Sequence, residues 1–321
     1  MSEKKIRILG YRYGDNDSAS TRIRFNRVLE AMKNIDLEIS EGALPDIEDE
    51  TDVYYIQKRA DSTTYCLACH AQERGVPVVY DIDDAPGQCA STDMENRMFN
   101  LAKIVTVDTE EKRLAFHNVP DEKIEVVPDC LDYFDVIPDK HISDGIKRVI
   151  TFGREHSIVA AHPLIARLKE ECPTLNVYYI SDAYVPLMNG IATWVCWNID
   201  VVKRYLINSD LAVLAQTEDA RGNMRSNNRL TACMAAGLPA VVNGADNYKK
   251  TMNHAGYSDL VVSPNTIAST VKIMDSVAVR ESLSANFQKY AWAFNSPEYI
   301  AEKLRKVFKR AINGTQPNVN N

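Results

Sequence analysis

No apolar run in the 321 residues approaches the roughly 20 needed to span a bilayer. The opening Met-Ser-Glu-Lys-Lys runs straight into a strand-like segment, with no apolar core or small-residue cleavage site of a secretory leader. Both absences point to a cytoplasmic protein without a transmembrane segment. Cysteine is too sparse and irregular for a disulfide framework: there are seven, an odd count at uneven spacings. Cys66 and Cys69 stand as C-x-x-C before His70, but no second Cys/His pair lies at metal-site spacing. They read as small buried hydrophobes on a helix, and no metal is expected. Positive charge is also short. A net charge of −7 excludes a general polyanion-binding surface and leaves nucleic acid only as a substrate held through a local basic patch. No G-x-G-x-x-G follows either leading strand, which removes the usual mark of a dinucleotide-dependent dehydrogenase.

What remains is an average globular composition, 45% apolar and 25% charged, on a chain long enough for two α/β domains. Short apolar runs alternate with amphipathic stretches throughout. The first half offers strands at 6–10, 37–40, 53–57, 77–82, 104–108 and 124–128, with helices at 21–32, 62–74, 91–101 and 110–117 between them. Strand then helix, repeated, implies a parallel sheet covered on both faces. The polar stretch 135–147 carries Pro138 and Gly145, and the pattern restarts after it with strands at 148–152, 176–180, 211–215, 240–243 and 260–262. The expected organisation is α/β: a Rossmann-like acceptor-side domain over 1–140 and a Rossmann-like donor-binding domain over 146–295, facing a central cleft. A helix over 296–313 crosses back to the first domain, and 314–321 is a disordered tail.

The stretch from Asp210 to Asn243 concentrates the chemistry. An apolar strand with a polar exit leads into a loop over Thr217–Asn228 that holds Glu218, Arg225 and Ser226. A helix then starts near Asn227 or Asn228, and Gly237 and Pro239 end it. The free N–H groups and positive dipole end of such a helix stabilise an anion. Ser226, Asn227 and Asn228 supply capping groups, while Arg225 and Arg229 can each grip a phosphate through two donors. The plainer alternative is a solvated loop before an ordinary cap.

Asp-Leu-Ala-Val-Leu, Arg-Ser-Asn-Asn-Arg-Leu and Met-Ala-Ala-Gly-Leu-Pro-Ala-Val-Val, in that order, resemble the donor-binding unit of retaining GT-B glycosyltransferases. Val149-Ile-Thr-Phe-Gly-Arg154 resembles the strand that opens their second domain, and Pro77-Val-Val-Tyr-Asp-Ile-Asp-Asp84 an aspartate-rich strand end of bacterial members. Val105-Thr-Val-Asp-Thr109, then Ile124-Glu-Val-Val-Pro-Asp129, resembles the close of their first domain. The resemblance covers roughly residues 5–310. It implies the GT-B fold, a nucleotide-diphosphate sugar as donor substrate with no further cofactor or metal, and transfer to a hydroxyl with retention. Three features depart from it, one being a weak glycine-rich loop after the first strand, with only Gly10 and Gly14. Ala232 stands where the family places a ribose-holding glutamate, and Glu218 is offset from a second.

The resemblance assigns Arg154 and Arg229 to the leaving diphosphate, with Arg229→Ala expected to keep the fold and lose turnover. Donor-binding candidates are Arg225, Ser226, Asn227, Asn228, Arg229, Thr231, Glu218 and Tyr248. Asp83 is a catalytic candidate and Asp84 an acceptor-side one, unless they only cap the turn before Pro86. Arg22 and Arg24 either contact a charged acceptor or the donor phosphates, or form the exposed face of the first helix. His156 joins the acceptor-side set. Trp194 and Trp197 read as packing rather than a sugar platform. The acceptor stays open among glycan, small molecule and hydroxylated DNA base. The competing reading is a non-catalytic GT-B-like protein that binds nucleotide or glycan.

Overall fold

A computed structural model describes residues 5–15, 18–33, 35–40, 51–88 and 91–314; the expected tail, beyond Gly314, lies outside them. The chain divides into two compact units, Met1–Cys130 with Pro297–Asn321, and Leu131–Ser296.

Unit 1 runs β1 (Ile6–Tyr11), a π-helical turn (Thr21–Asn26) leading into α1 (Arg27–Ala31), β2 (Ile35–Ser40), β3 (Val53–Gln57), α2 (Ser62–Glu73), β4 (Val78–Ile82), α3 (Thr92–Leu101), β5 (Ile104–Val107), α4 (Glu110–Ala115) and β6 (Ile124–Val126). All pairings are parallel, in the order β2-β1-β3-β4-β5-β6. Every residue of β3 and β4 is buried, as expected of central strands covered on both faces. The order reverses between β1 and β3, so their carboxyl ends flank a crevice of the kind where open α/β sheets take ligands.

Unit 2 runs β7 (Arg148–Phe152), α5 (Glu155–Glu171), β8 (Asn176–Ser181), β9 (Thr193–Cys196), α6 (Ile199–Asn208), β10 (Leu211–Ala215), α7 (Ala220–Asn223), α8 (Asn228–Ala235), β11 (Ala240–Asn243), α9 (Asp246–His254), α10 (Ile267–Met274) and α11 (Val277–Asn295). Its parallel order, β11-β10-β7-β8-β9, reverses between β7 and β10. The last helix, α12 (Pro297–Asn313), belongs to unit 1, where Ile300, Leu304 and Phe308 enter the core beside Phe25, Val28 and Tyr55.

Four local differences from the sequence reading have physical reasons. The units part at Cys130, ahead of the polar stretch, because Leu131, Phe134 and Ile146 join the second core. Within that stretch the Lys140 ammonium donates to the carbonyls of Leu206, Ile207 and Ser209, where α6 ends. The expected strand at 260–262 shrinks to one bridge between Val242 and Val261, since a 3₁₀ turn over Ser258–Leu260 delivers the chain there late. The loop before α8 contains the short helix α7, capped by Asp219 accepting from the Gly222 N–H at 2.6 Å. Finally, Cys66 is exposed and Cys69 half-buried on α2, rather than both lying in the core.

Candidate functional site

In unit 2 the polar side chains gather where β7 and β10 part. Arg229 leaves the first turn of α8 and donates from Nη1 to the Phe152 carbonyl at 2.7 Å and from Nη2 to the Ala215 carbonyl at 3.1 Å. These are the last residues of β7 and β10, so one guanidinium ties both strand ends together. The approach needs Gly153: at φ +137° it lies in a region side chains avoid, and a Cβ there would stand 2.9 Å from Arg229 Nη1. Tyr248, fully buried at the start of α9, lies under the guanidinium, with the charged carbon 5.8 Å from the ring centroid.

Arg154 and Arg225 complete a basic cluster. Arg154 is exposed, Arg225 half-buried, and neither forms an ion pair among the described residues. Burial, then the guanidinium groups of Arg229 and Arg154, push Arg225 below its ordinary value. Half-buried His156 faces the same groups. Burial first, then Arg225, Arg229 and Arg154, push its imidazole down to about 4, with Asp182 pulling the other way. Two helices start here, α5 after Arg154 and α8 after Asn227, and neither has a side-chain cap. Ser157 and Thr231 bond back to the Arg154 and Asn227 carbonyls, and the N–H groups ahead of them in each helix are the donors left beside the arginines.

The other donor-side candidates divide. Ser226, Asn227 and Asn228 lie half-buried at the head of α8, but none caps it; the Asn227 amide donates to Thr251 Oγ1 at 2.7 Å instead. Thr231 is buried, and its hydroxyl donates within its own helix to the Asn228 carbonyl at 3.1 Å. Thr231 and Tyr248 therefore offer a ligand no exposed surface. Glu218 is exposed and pairs with Lys249 at 3.8 Å. Ala232 is buried in the core. Trp194 and Trp197 are 40% and 37% exposed, contrary to the packing expectation, because β9 is the edge strand of its sheet. Tyr184, 49% exposed, meets Trp194 edge-on, and the Ser181 carbonyl accepts from both the Trp194 indole and the Trp197 N–H.

In unit 1 the expected aspartates gather at the β1/β3 crevice around a residue the sequence reading missed. Lys58, just past β3, pairs with Asp83 at 3.3 Å and Asp84 at 2.7 Å. It is the one non-glycine with positive φ among the described residues, at +62°. Its N–H donates to the Asp81 carbonyl at 2.7 Å and its carbonyl accepts from the Tyr80 hydroxyl at 3.3 Å, which hold it there. Asp83 also accepts from the Ser20 hydroxyl, and Lys112 reaches its main-chain carbonyl. Burial pushes the Asp83 carboxyl up, but Lys58, Arg24, Lys112 and Ser20 together hold it below its usual range. A carboxylate so stabilised orients hydroxyl groups better than it removes protons.

Arg24 corrects the sequence reading outright. It is neither a ligand contact nor an exposed helix face: it lies on the inner side of the turn, opposite Arg22, where it forks onto Asp81 at 2.6 and 3.0 Å and donates to Asp129 at 2.8 Å. Arg22 stays half-buried at the surface. The signal for Lys58, and for buried Gln216 past β10, was their place: each is the polar residue at the carboxyl end of a strand beside a reversal of order. No group of three or more His, Cys, Asp or Glu among the described residues could hold a metal ion, and no helix there is long and apolar enough to cross a membrane.

No family model and no curated protein matches the chain by sequence. Solved structures do match by shape. HepE of Anabaena, in complex with UDP and glucose, superposes with a TM-score of 0.67 at 13% identity over 95% of this chain and 99% of its own. A glycosyltransferase from Rickettsia africae gives 0.68 at 12% identity over 98% and 100%. TarM gives 0.63 at 13% identity over 81% of this chain, which spans 55% of TarM's length. Identities this low speak for architecture alone, and the architecture, two parallel α/β sheets in succession, is that of the GT-B glycosyltransferases.

Proposed function

We propose that the chain is a nucleotide-sugar-dependent glycosyltransferase whose second unit grips the donor diphosphate. One observation carries this: Arg154, Arg225 and Arg229 converge on a strand-order reversal, beside two uncapped helix starts, with no carboxylate among the described residues paired to any of them. Unopposed guanidinium groups repel one another, and an anion relieves that repulsion. Leaving such a cluster in place is costly unless a phosphate fills it. When the bond between sugar and phosphate breaks, its electron pair goes to the phosphate oxygen, and the same cluster stabilises that charge. Tyr184 and Trp197 follow the carboxyl ends of β8 and β9, one and two strands along from Arg154, and the ring of Trp194, within β9, reaches Tyr184 and the Ser181 carbonyl that ends β8. Their exposed rings suit a nucleobase tethered to the diphosphate. The UDP and glucose held by HepE favour a similar donor.

The finer reading is transfer with retention to a hydroxyl acceptor, without a metal, in the cytoplasm. Asp83 and Asp84, oriented by Lys58, are proposed to hold acceptor hydroxyls. The test is nucleotide release from UDP-, GDP-, ADP- and dTDP-sugars, followed together with quenching of tryptophan fluorescence. Release and quenching with one donor support the reading; inertness towards all four would sink it. Ala232 favours a second reading, a GT-B-like protein that binds nucleotide without transfer, since the inner face of α8 carries no carboxylate. Quenching without release would select it.

A further inference from the structure

His156 lies in the first turn of α5, two residues past Arg154. The groups that face it come from three directions: Arg154 from its own turn, Arg225 and Arg229 from the head of α8, and Asp182 from the end of β8. On the β10 side its neighbour Ser157 meets the uncharged Gln216 at 3.4 Å. Glu155, beside it in sequence, is exposed. Arg229 is held in place by its hydrogen bonds to the Phe152 and Ala215 carbonyls. The uncapped start of α5 adds its own positive potential.

Burial first, and then the fixed positive surroundings, therefore disfavour the charged form of the imidazole. A diphosphate esterified at both ends brings two negative charges among the arginines, which with Asp182 offset the three guanidinium charges and place acceptor oxygens near the ring. We infer that His156 is the proton-accepting member of this cluster, neutral while the guanidinium groups face one another and protonated once a diphosphate lies among them. The inference rests on the donor reading above. The proton passes from hydronium or buffer acid to the free ring nitrogen, and no bond between heavy atoms changes. Once bound, it gives the departing phosphate a fourth cationic donor, one that a triad of arginines lacks.

Sugar nucleotides suit the test, because their diphosphate is esterified at both ends and does not itself titrate near neutral pH. UDP-glucose, GDP-mannose and ADP-glucose are each titrated calorimetrically into the full chain at about pH 6 and about pH 8, in buffers of different ionisation enthalpy. The expected result is uptake approaching one proton at the lower pH and falling towards zero at the higher. Dissociation constants should weaken by up to about tenfold per pH unit over the interval where uptake is complete. His156→Gln should bind with no uptake and a flat pH dependence. Binding without proton uptake in the unaltered protein overturns the inference and leaves the donor reading standing. Uptake that persists in His156→Gln also overturns it. If none of the three probes binds, the donor reading falls and the inference falls with it.

Discussion

Arg229 reaches back across 77 residues of chain to give its Nη1 proton to the carbonyl of Phe152. The bond makes one side chain both a part of the fold and a part of the proposed anion site. It changes what a substitution means. Arg229→Ala leaves two strand-end carbonyls without their charged donor, so the expected outcome is lost stability of about 2–4 kcal/mol as well as lost donor binding. Gly153→Ala tests the same contact from the other side. Its methyl would crowd the guanidinium on a backbone that resists a side chain, and a loss of about 1–3 kcal/mol is expected. Urea unfolding and donor titration on both variants measure the two effects together. Full stability in Gly153→Ala would refute the close approach.

Arg24 should matter more to stability than to any ligand. With Asp81 and Asp129 both buried against it, Arg24→Met takes the shared cation away from two carboxylates held out of water. The expected cost is about 3–5 kcal/mol. Chemical denaturation checks this, and a loss under about 1 kcal/mol would show the pocket to be wetter than the geometry implies.

The depressed imidazole of His156 has a consequence for the empty protein. In the unfolded chain histidine takes its proton near its ordinary value, whereas in the folded chain it waits until about 4. Between those values the unfolded state binds more protons, so stability rises with pH across that window and falls on acidification. The effect is softened because the ring is only half-buried. Thermal melts from about pH 7 down to about pH 4 should show a shallower decline in His156→Gln than in the unaltered chain. Parallel declines would place the ring in a less positive setting.

Phe308 tests the return of α12. Its ring packs edge-on against Tyr55, 5.3 Å between centroids, and Tyr55 stacks on Phe25 at 5.4 Å. Phe308→Ala should cost unit 1 about 3–5 kcal/mol, read as an early transition in urea. A single unshifted transition would mean the helix is dispensable.

The sheets were readable in the sequence because parallel strands covered on both faces carry unbroken apolar runs, and β3, β4 and β10 show them plainly. Arg154, Arg225 and Arg229 were readable because charge at the carboxyl end of a strand, or at a helix start, has few structural uses. Arg24 was not. Two residues apart, Arg22 and Arg24 lie on nearly opposite sides of a helical turn, and nothing local says which of the two enters the core; only the distant Asp81 and Asp129 decide it. Tyr248 and Thr231 were placed at the ligand because nothing local tells a side chain that touches a ligand from one that supports its neighbour. Trp194 and Trp197 show the reverse error: aromatic residues suggest packing, and only strand order reveals that β9 lies at the edge.

The place of α12 sets an order of assembly. Six strands of unit 1 leave the ribosome before residue 131, yet the helix carrying Ile300, Leu304 and Phe308 into their core comes last. Unit 2, by contrast, is uninterrupted in sequence and can close while the earlier strands still lack a face. Nascent chains halted at residue 296 should thus resist brief proteolysis across 131–296 and be cut within 5–130; uniform resistance would show that the first sheet holds itself together without its final helix. The part of the polypeptide ahead of residue 131 is expected to be the last to mature.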